Sequence, residues 1–126
     1  MPRTAKKEAQ NAALSRAVFV NIAKRILGPR YSLSFSFTTP AHIKKLNLIY
    51  RDKNQATDIL SFPLSKNEGE IYICLSEARK EAKKFGRDHR NFLLFLFIHG
   101  CVHLKGYDHG STMERIELKF RKQFGV

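Results

Sequence analysis

The spacing of hydrophobic positions changes several times along this chain, and each change marks an element. Between residues 5 and 27, Leu14, Val18, Ile22 and Ile26 recur every four residues, and Ala13, Ala17 and Ala23 widen the stripe. That period predicts a helix, and Gly28-Pro29 stops it. From Tyr31 to Thr38 the period falls to two, with Leu33, Phe35 and Phe37 alternating with Ser32, Ser34 and Ser36. This predicts a strand with one buried face. Thr39-Pro40 supplies an N-cap and a first-turn proline for a short helix of about 40–49. A polar loop from Arg51 to Thr57 follows.

Asp58 to Pro63 reads as a second strand and Glu70 to Leu75 as a third, joined by a hairpin-like turn from Ser65 to Gly69. Ser76 is positioned to cap a helix of about 77–85, closed by Gly86, with Glu77 in its first turn. Residues 88–105 make the next helix, in which Phe92 to Ile98 are apolar on every side. Such a helix belongs at the centre of a fold. Periodicity alone also permits a buried strand there, and continuity with His99 and His103 decides for helix. A final helix of about 111–123 takes Ser111 as its cap and offers Met113, Ile116, Leu118 and Phe120 for packing. The expected architecture is α+β: a small mixed β-sheet packed against several helices, with a buried central helix carrying two histidines. At 126 residues, without internal repeat or linker, one domain over 1–126 is expected.

Composition narrows the partners. Lys and Arg number 23 against 11 acidic residues, a net charge of +12, which attracts polyanions, RNA first among them. The two cysteines, Cys74 and Cys101, are too few for a disulfide framework and read as apolar fillers in a reducing compartment. The longest apolar run, Phe92 to Ile98, falls far short of the ~20 residues that span a bilayer, so no membrane-spanning segment is expected; an anionic membrane surface is the weaker partner option, and RNA is expected with no membrane. The basic opening, Met1 to Lys7, leads into no hydrophobic segment, and a cytoplasmic location is expected.

The candidate chemistry lies in the run from His99 to His109. His99 and His103, four apart, share one face of a helix. Gly106 can end that helix, and His109 then returns from outside it as a third nitrogen. Three protein nitrogens leave one tetrahedral position open, as in a catalytic zinc site. Zinc is the expected ion, although nickel or another divalent metal suits the same donors. The bland alternative is three imidazoles with separate hydrogen-bond partners beside an apolar segment. Cys101, two positions from each helical histidine, faces away from both.

The spacing His99-x3-His103-x2-Gly106-x2-His109 matches the metzincin protease signature except in one place: Gly100 stands where those enzymes carry their glutamate base. With Gly100, Leu104 and Gly106-Tyr107-Asp108-His109, the segment instead resembles the YbeY family of ribosomal-RNA maturation endoribonucleases. Leu46-Asn47, Tyr50-Arg51 and Thr57 to Pro63 look like that family's second signature, and Gly69 to Cys74 is similar to its third, with Glu70 where aspartate is usual. Three further departures are the apparent start on a helix instead of a strand, Val102 in place of leucine, and a thinned acidic run after His109.

The resemblance implies a single-strand-specific, metal-dependent endoribonuclease of ribosomal RNA processing and ribosome quality control. Its partners would be ribosomal RNA and ribosomal subunits or ribosome-associated proteins. It makes His99, His103 and His109 the zinc ligands and Arg51 the functionally important arginine, suited to a phosphate. On the residues alone, a surface ion pair of Arg51 with Asp52 or Asp58 is the favoured reading. Asp108 is a candidate to orient an imidazole or to cap the last helix, and Glu114 a candidate base or a solvated helix residue. Tyr107 is read as packing, with base stacking as its alternative, while His42 and His89 are read as surface or cap residues. The nucleophile stays open between metal-activated water and the RNA 2′-hydroxyl. Two other readings remain: a zinc-stiffened, non-catalytic ribosome-assembly factor, and a metalloprotease without its glutamate.

Overall fold

A computed structural model describes residues 16–126. A helix over residues 16–27 (α1) leads to strand β1 (Ser32–Thr38), helix α2 (Pro40–Arg51), the hairpin β2 (Ile59–Ser65) and β3 (Glu68–Cys74), then helices α3 (Leu75–Lys84), α4 (His89–Leu104) and α5 (Ser111–Phe124). The first half of the helix expected over 5–27 lies outside the described residues. The sheet order is β1-β3-β2, with β1 parallel and β2 antiparallel to β3. This is the small mixed sheet of an α+β fold.

The strands' period of two sorts their side chains between two layers. Leu33, Phe35 and Phe37 of β1, Ile71 and Ile73 of β3, and Ile59 of β2 face the main core. There Phe19 of α1 and Phe97 of α4 close on Phe35 at ring-centroid distances of 4.9 and 4.8 Å. The opposite face carries Leu60, Phe62, Tyr72 and Cys74, covered by Ile43 and Leu46 of α2. The serines of β1 point to solvent, as the alternation requires.

Helix α4 is the buried centre: Phe92, Leu93, Leu96, Phe97, Ile98, Gly100, Cys101, Val102 and Leu104 are all buried. Asp88 caps it, accepting from the Asn91 N–H at 2.8 Å. Its centre passes very close to the sheet. A Cβ on Gly100 would stand 2.8 Å from Ser61 Oγ and 3.0 and 3.1 Å from the Cδ1 atoms of Ile59 and Ile71. At the other end, Gly106 turns the chain back with φ +112°, a left-handed conformation that glycine adopts without strain.

Several local expectations shift. Leu75 opens α3 instead of closing β3, so Ser76 is a helical residue and the N-cap is Cys74, without a side-chain hydrogen bond. Ser111 is likewise the first residue of α5, after Gly110 as N-cap. In α5 the buried positions are Met113 and Glu117, while Leu118 is 44 % exposed. Helix α2, capped by Thr39 as expected, runs on to Arg51. Asp52 then takes φ 56° and the Lys53 N–H bonds the Asn47 carbonyl at 3.2 Å, closing the helix with a left-handed turn. Arg51 therefore sits on a helix end, not in a loop.

Candidate metal centre

His99 and His103 project from one side of α4, one turn apart, because the helical repeat stacks positions four apart. Gly106 bends the chain so that His109 comes back over them. The His109 ring lies 5.3 Å from that of His99 and 5.9 Å from that of His103, in both cases within 25° of parallel at 24° and 23°. All three line one hollow of about 340 Å³ with Arg51, Thr57, Asp58, Ile59 and Ser61. The four residues singled out from the sequence are thus brought together from α2, α4 and the turn after α4. Arg51 lies at the end of α2, whose packing is on the other face of the sheet, yet it lines the hollow together with Thr57 and Asp58 and with Ile59 and Ser61 of β2. Among the described residues neither Asp52 nor Asp58 forms an ion pair with it.

Two imidazoles are held by their inner nitrogens. His99 Nδ1 meets the Glu117 carboxylate, and His103 Nδ1 meets the Tyr107 carbonyl at 3.0 Å. A carbonyl or carboxylate oxygen accepts, so each Nδ1 is the donating nitrogen and Nε2 is the one turned to the hollow's chemistry. This is the arrangement that orients metal-ligating histidines. Tyr107 contributes its backbone here and packs its ring on the main core.

The donor set suits zinc. A tetrahedral ion about 2 Å from each nitrogen spaces imidazole centroids about 5 Å apart, close to the 5.3 and 5.9 Å found here. As the side chains stand, however, no three His, Cys, Asp or Glu among the described residues converge on one point as a metal cage. The rings are gathered and oriented, but not closed. Cys101 is not available as a thiolate, since complete burial pushes its thiol well above the usual range.

Three residues gain importance that spacing did not assign to them. Glu117, only 8 % exposed, is the carboxylate on His99, whereas Asp108 is exposed and lines neither hollow. Its signal in the sequence was a charged residue at the apolar stripe position of α5, four after Met113. Asp58 is the one acidic residue lining the histidine hollow; burial raises its carboxyl above the usual range, with Glu81 adding to the effect. Asn47, on the buried side of α2, donates to the Gln55 carbonyl at 2.9 Å and ties down the loop that leads to Thr57 and Asp58.

A second hollow, of about 580 Å³, adjoins the first through His99 and His109. Glu114 lines it, together with Asp58, Glu81, Glu117 and Arg121. His42 and His89 line neither hollow.

An α+β domain whose buried helix presents oriented imidazoles to an open hollow with an arginine defines a class of hydrolase-like sites. The endoribonuclease YbeY family model matches residues 2–124, and the chain belongs to that family. It is 31% identical to the endoribonuclease YbeY of Finegoldia magna, over 87% of this chain and 76% of that protein. It is 34% identical to that of Alkaliphilus metalliredigens over 87% and 78%, and 36% identical to that of Mycoplasmopsis synoviae over 90% and 77%. Among solved structures it is similar to the solution structure of TM1509 from Thermotoga maritima, with TM-score 0.66, 28% identity, and 93% and 83% of the two chains covered.

Proposed function

We propose that this chain is a single-strand-specific, metal-dependent endoribonuclease that hydrolyses phosphodiester bonds in ribosomal RNA, in processing and quality control of the ribosome. Membership of a family of endoribonucleases supports hydrolysis of RNA, and the net charge of +12 suits a polyanion. The observation that carries the reading is the single hollow shared by His99, His103, His109 and Arg51.

In this reading His99, His103 and His109 hold one zinc ion through Nε2. When bound, zinc supplies Lewis-acid polarisation of a phosphoryl oxygen and makes water a nucleophile near neutral pH. Glu117 and the Tyr107 carbonyl fix the two helical rings in the tautomer that leaves Nε2 free. Arg51, held at the end of α2, presents its planar fork to the scissile phosphate and counters the charge that grows on it. Asp58 is the carboxylate in reach of a proton released at the same hollow. The protease alternative lacks the glutamate that its signature carries: that position is Gly100, pressed against Ser61, Ile59 and Ile71. No helix among the described residues is long and apolar enough to cross a membrane, and a cytoplasmic location suits a ribosomal substrate.

The test is cleavage of an end-labelled single-stranded RNA by the zinc-loaded protein and by His103→Ala and Arg51→Ala variants, with metal content measured for each. The expected outcome is metal and activity lost together in the first variant, and activity alone lost in the second. Equal cleavage by all three would show a contaminating nuclease and overturn the assignment. Metal binding without cleavage by any would favour a zinc-stiffened assembly factor.

A further inference from the structure

We propose that Tyr50, backed by Phe62 and flanked by the cations of α2, is a stacking platform for a base of the single-stranded RNA, next to the histidine hollow. This rests on the RNA substrate proposed above and adds where the strand lies on the protein.

Tyr50 is 64 % exposed, yet its ring is fixed, 4.8 Å from the ring of Phe62. Phe62 continues to Tyr72 at 6.1 Å, and Tyr72 to His42 at 5.9 Å. Four rings therefore run in a row over the α2 side of the sheet, and the row ends in an open aromatic face. Tyr50 is among the most exposed large hydrophobic side chains of the described residues.

Charge says what covers this surface. Helix α2 carries Lys44, Lys45 and Arg51 and no acidic residue, and Lys53 follows it. Lys44 and Arg51 are seven apart, two turns along one flank. The acids nearby are Asp52, Asp58 and Glu70, and the Glu70 carboxylate accepts from the Tyr72 hydroxyl. On the other side of the histidines the second hollow is lined by Asp58, Glu81, Glu114 and Glu117, against Arg121 as the one Lys or Arg. A polyanionic strand is drawn to the α2 side and repelled from the other.

Interleaved rings and cations are what single-stranded nucleic acid requires, because each base offers a flat apolar face and each linkage a charge. Bases within a duplex already stack on each other, so the platform selects unpaired strands. Tyr50 and Arg51 are consecutive residues. Their side chains leave α2 about 100° apart, so a strand with a base on Tyr50 runs on across the helix end towards the hollow that Arg51 lines.

The test is fluorescence anisotropy of a short fluorescein-labelled oligouridylate, and of a duplex, with wild type, Tyr50→Ala, Tyr50→Leu and Tyr50→Phe. Stacking predicts about tenfold weaker single-strand binding for Tyr50→Ala. Tyr50→Leu, which keeps apolar cover on Phe62, should weaken it similarly, while Tyr50→Phe binds as wild type and duplex affinity is unchanged throughout. Wild-type affinity in both Tyr50→Ala and Tyr50→Leu would overturn the platform and assign this face to a protein partner. Cleavage by the zinc-loaded wild type, measured in parallel, separates the two ideas. Activity with no Tyr50 effect on binding removes only the platform, whereas a Tyr50 effect without activity removes only the nuclease.

Discussion

His99 and Glu117 meet between α4 and α5, imidazole Nδ1 against carboxylate, with Glu117 almost buried. A desolvated carboxylate is tolerated there because the ring N–H satisfies it, and in return it holds that ring's orientation. Replacing it by the isosteric amide keeps the shape and removes the charge. Glu117→Gln should lower zinc affinity by about 10- to 100-fold, measured by competition with a chromophoric chelator. Unchanged affinity would show that His99 does not depend on Glu117 for its orientation.

Gly100 has a steric reason to be glycine. A methyl there meets Ser61, Ile59 and Ile71 at 2.8 to 3.1 Å, an overpacking that costs about 1–3 kcal/mol. Better helix propensity returns roughly 1 kcal/mol. Gly100→Ala should therefore be mildly destabilised in thermal unfolding, whereas Gly100→Glu should not fold. A soluble, cooperatively unfolding Gly100→Glu protein would refute the close approach of α4 to the sheet.

Asn47 holds the loop between α2 and β2 from beneath. Asn47→Ala removes the hydrogen bond to the Gln55 carbonyl and should cost about 0.5–1.5 kcal/mol in urea unfolding. Because that loop leads to Thr57 and Asp58 in the hollow, RNA cleavage should fall more than stability alone explains.

Asp58 links stability to pH. Its folded carboxyl is raised above the ordinary value of 3.8, chiefly by burial, so the folded state holds this proton more tightly than the unfolded chain. That contribution is fully present below the unfolded value and is lost as pH rises through the folded one. In metal-free protein, Asp58→Asn should gain stability relative to wild type as pH is raised from about 4. A constant difference across that range would contradict the shift.

Both cysteines are buried, and burial holds the Cys101 thiol protonated at mildly alkaline pH. Native protein at pH 8 should react with neither thiol on the timescale of a colorimetric assay, while denaturant should release both. Rapid labelling of native protein would mean that α4 opens readily.

Much of the fold follows from local rules that act within a few residues. The alternation of β1, the Thr39-Pro40 start of α2 and the all-apolar span of α4 appear where the pattern places them. The histidine spacing likewise brings His99 and His103 onto one helical side, and Gly106 returns His109 to them. These depend on helical period, strand pleat and glycine's freedom, all of which are written in sequence. Local rules fail at the element ends, where Ser76 and Ser111 fall inside helices instead of capping them. Capping preference is small beside the tertiary contacts that decide where a helix begins.

Only the tertiary structure decided which distant residues meet. Nothing near Glu117 in the chain points to His99, eighteen residues away, and the choice of Glu117 over Asp108 came from the packing of α5 on α4. Arg51 and the histidines line one hollow only because folding brings the end of α2 and the end of α4 together, and Gly100 is confined because α4 packs on the sheet there. Spacing along a chain fixes neighbours on one element. Which elements face each other is settled by burial of the whole core, a sum over contacts that no short stretch of sequence contains.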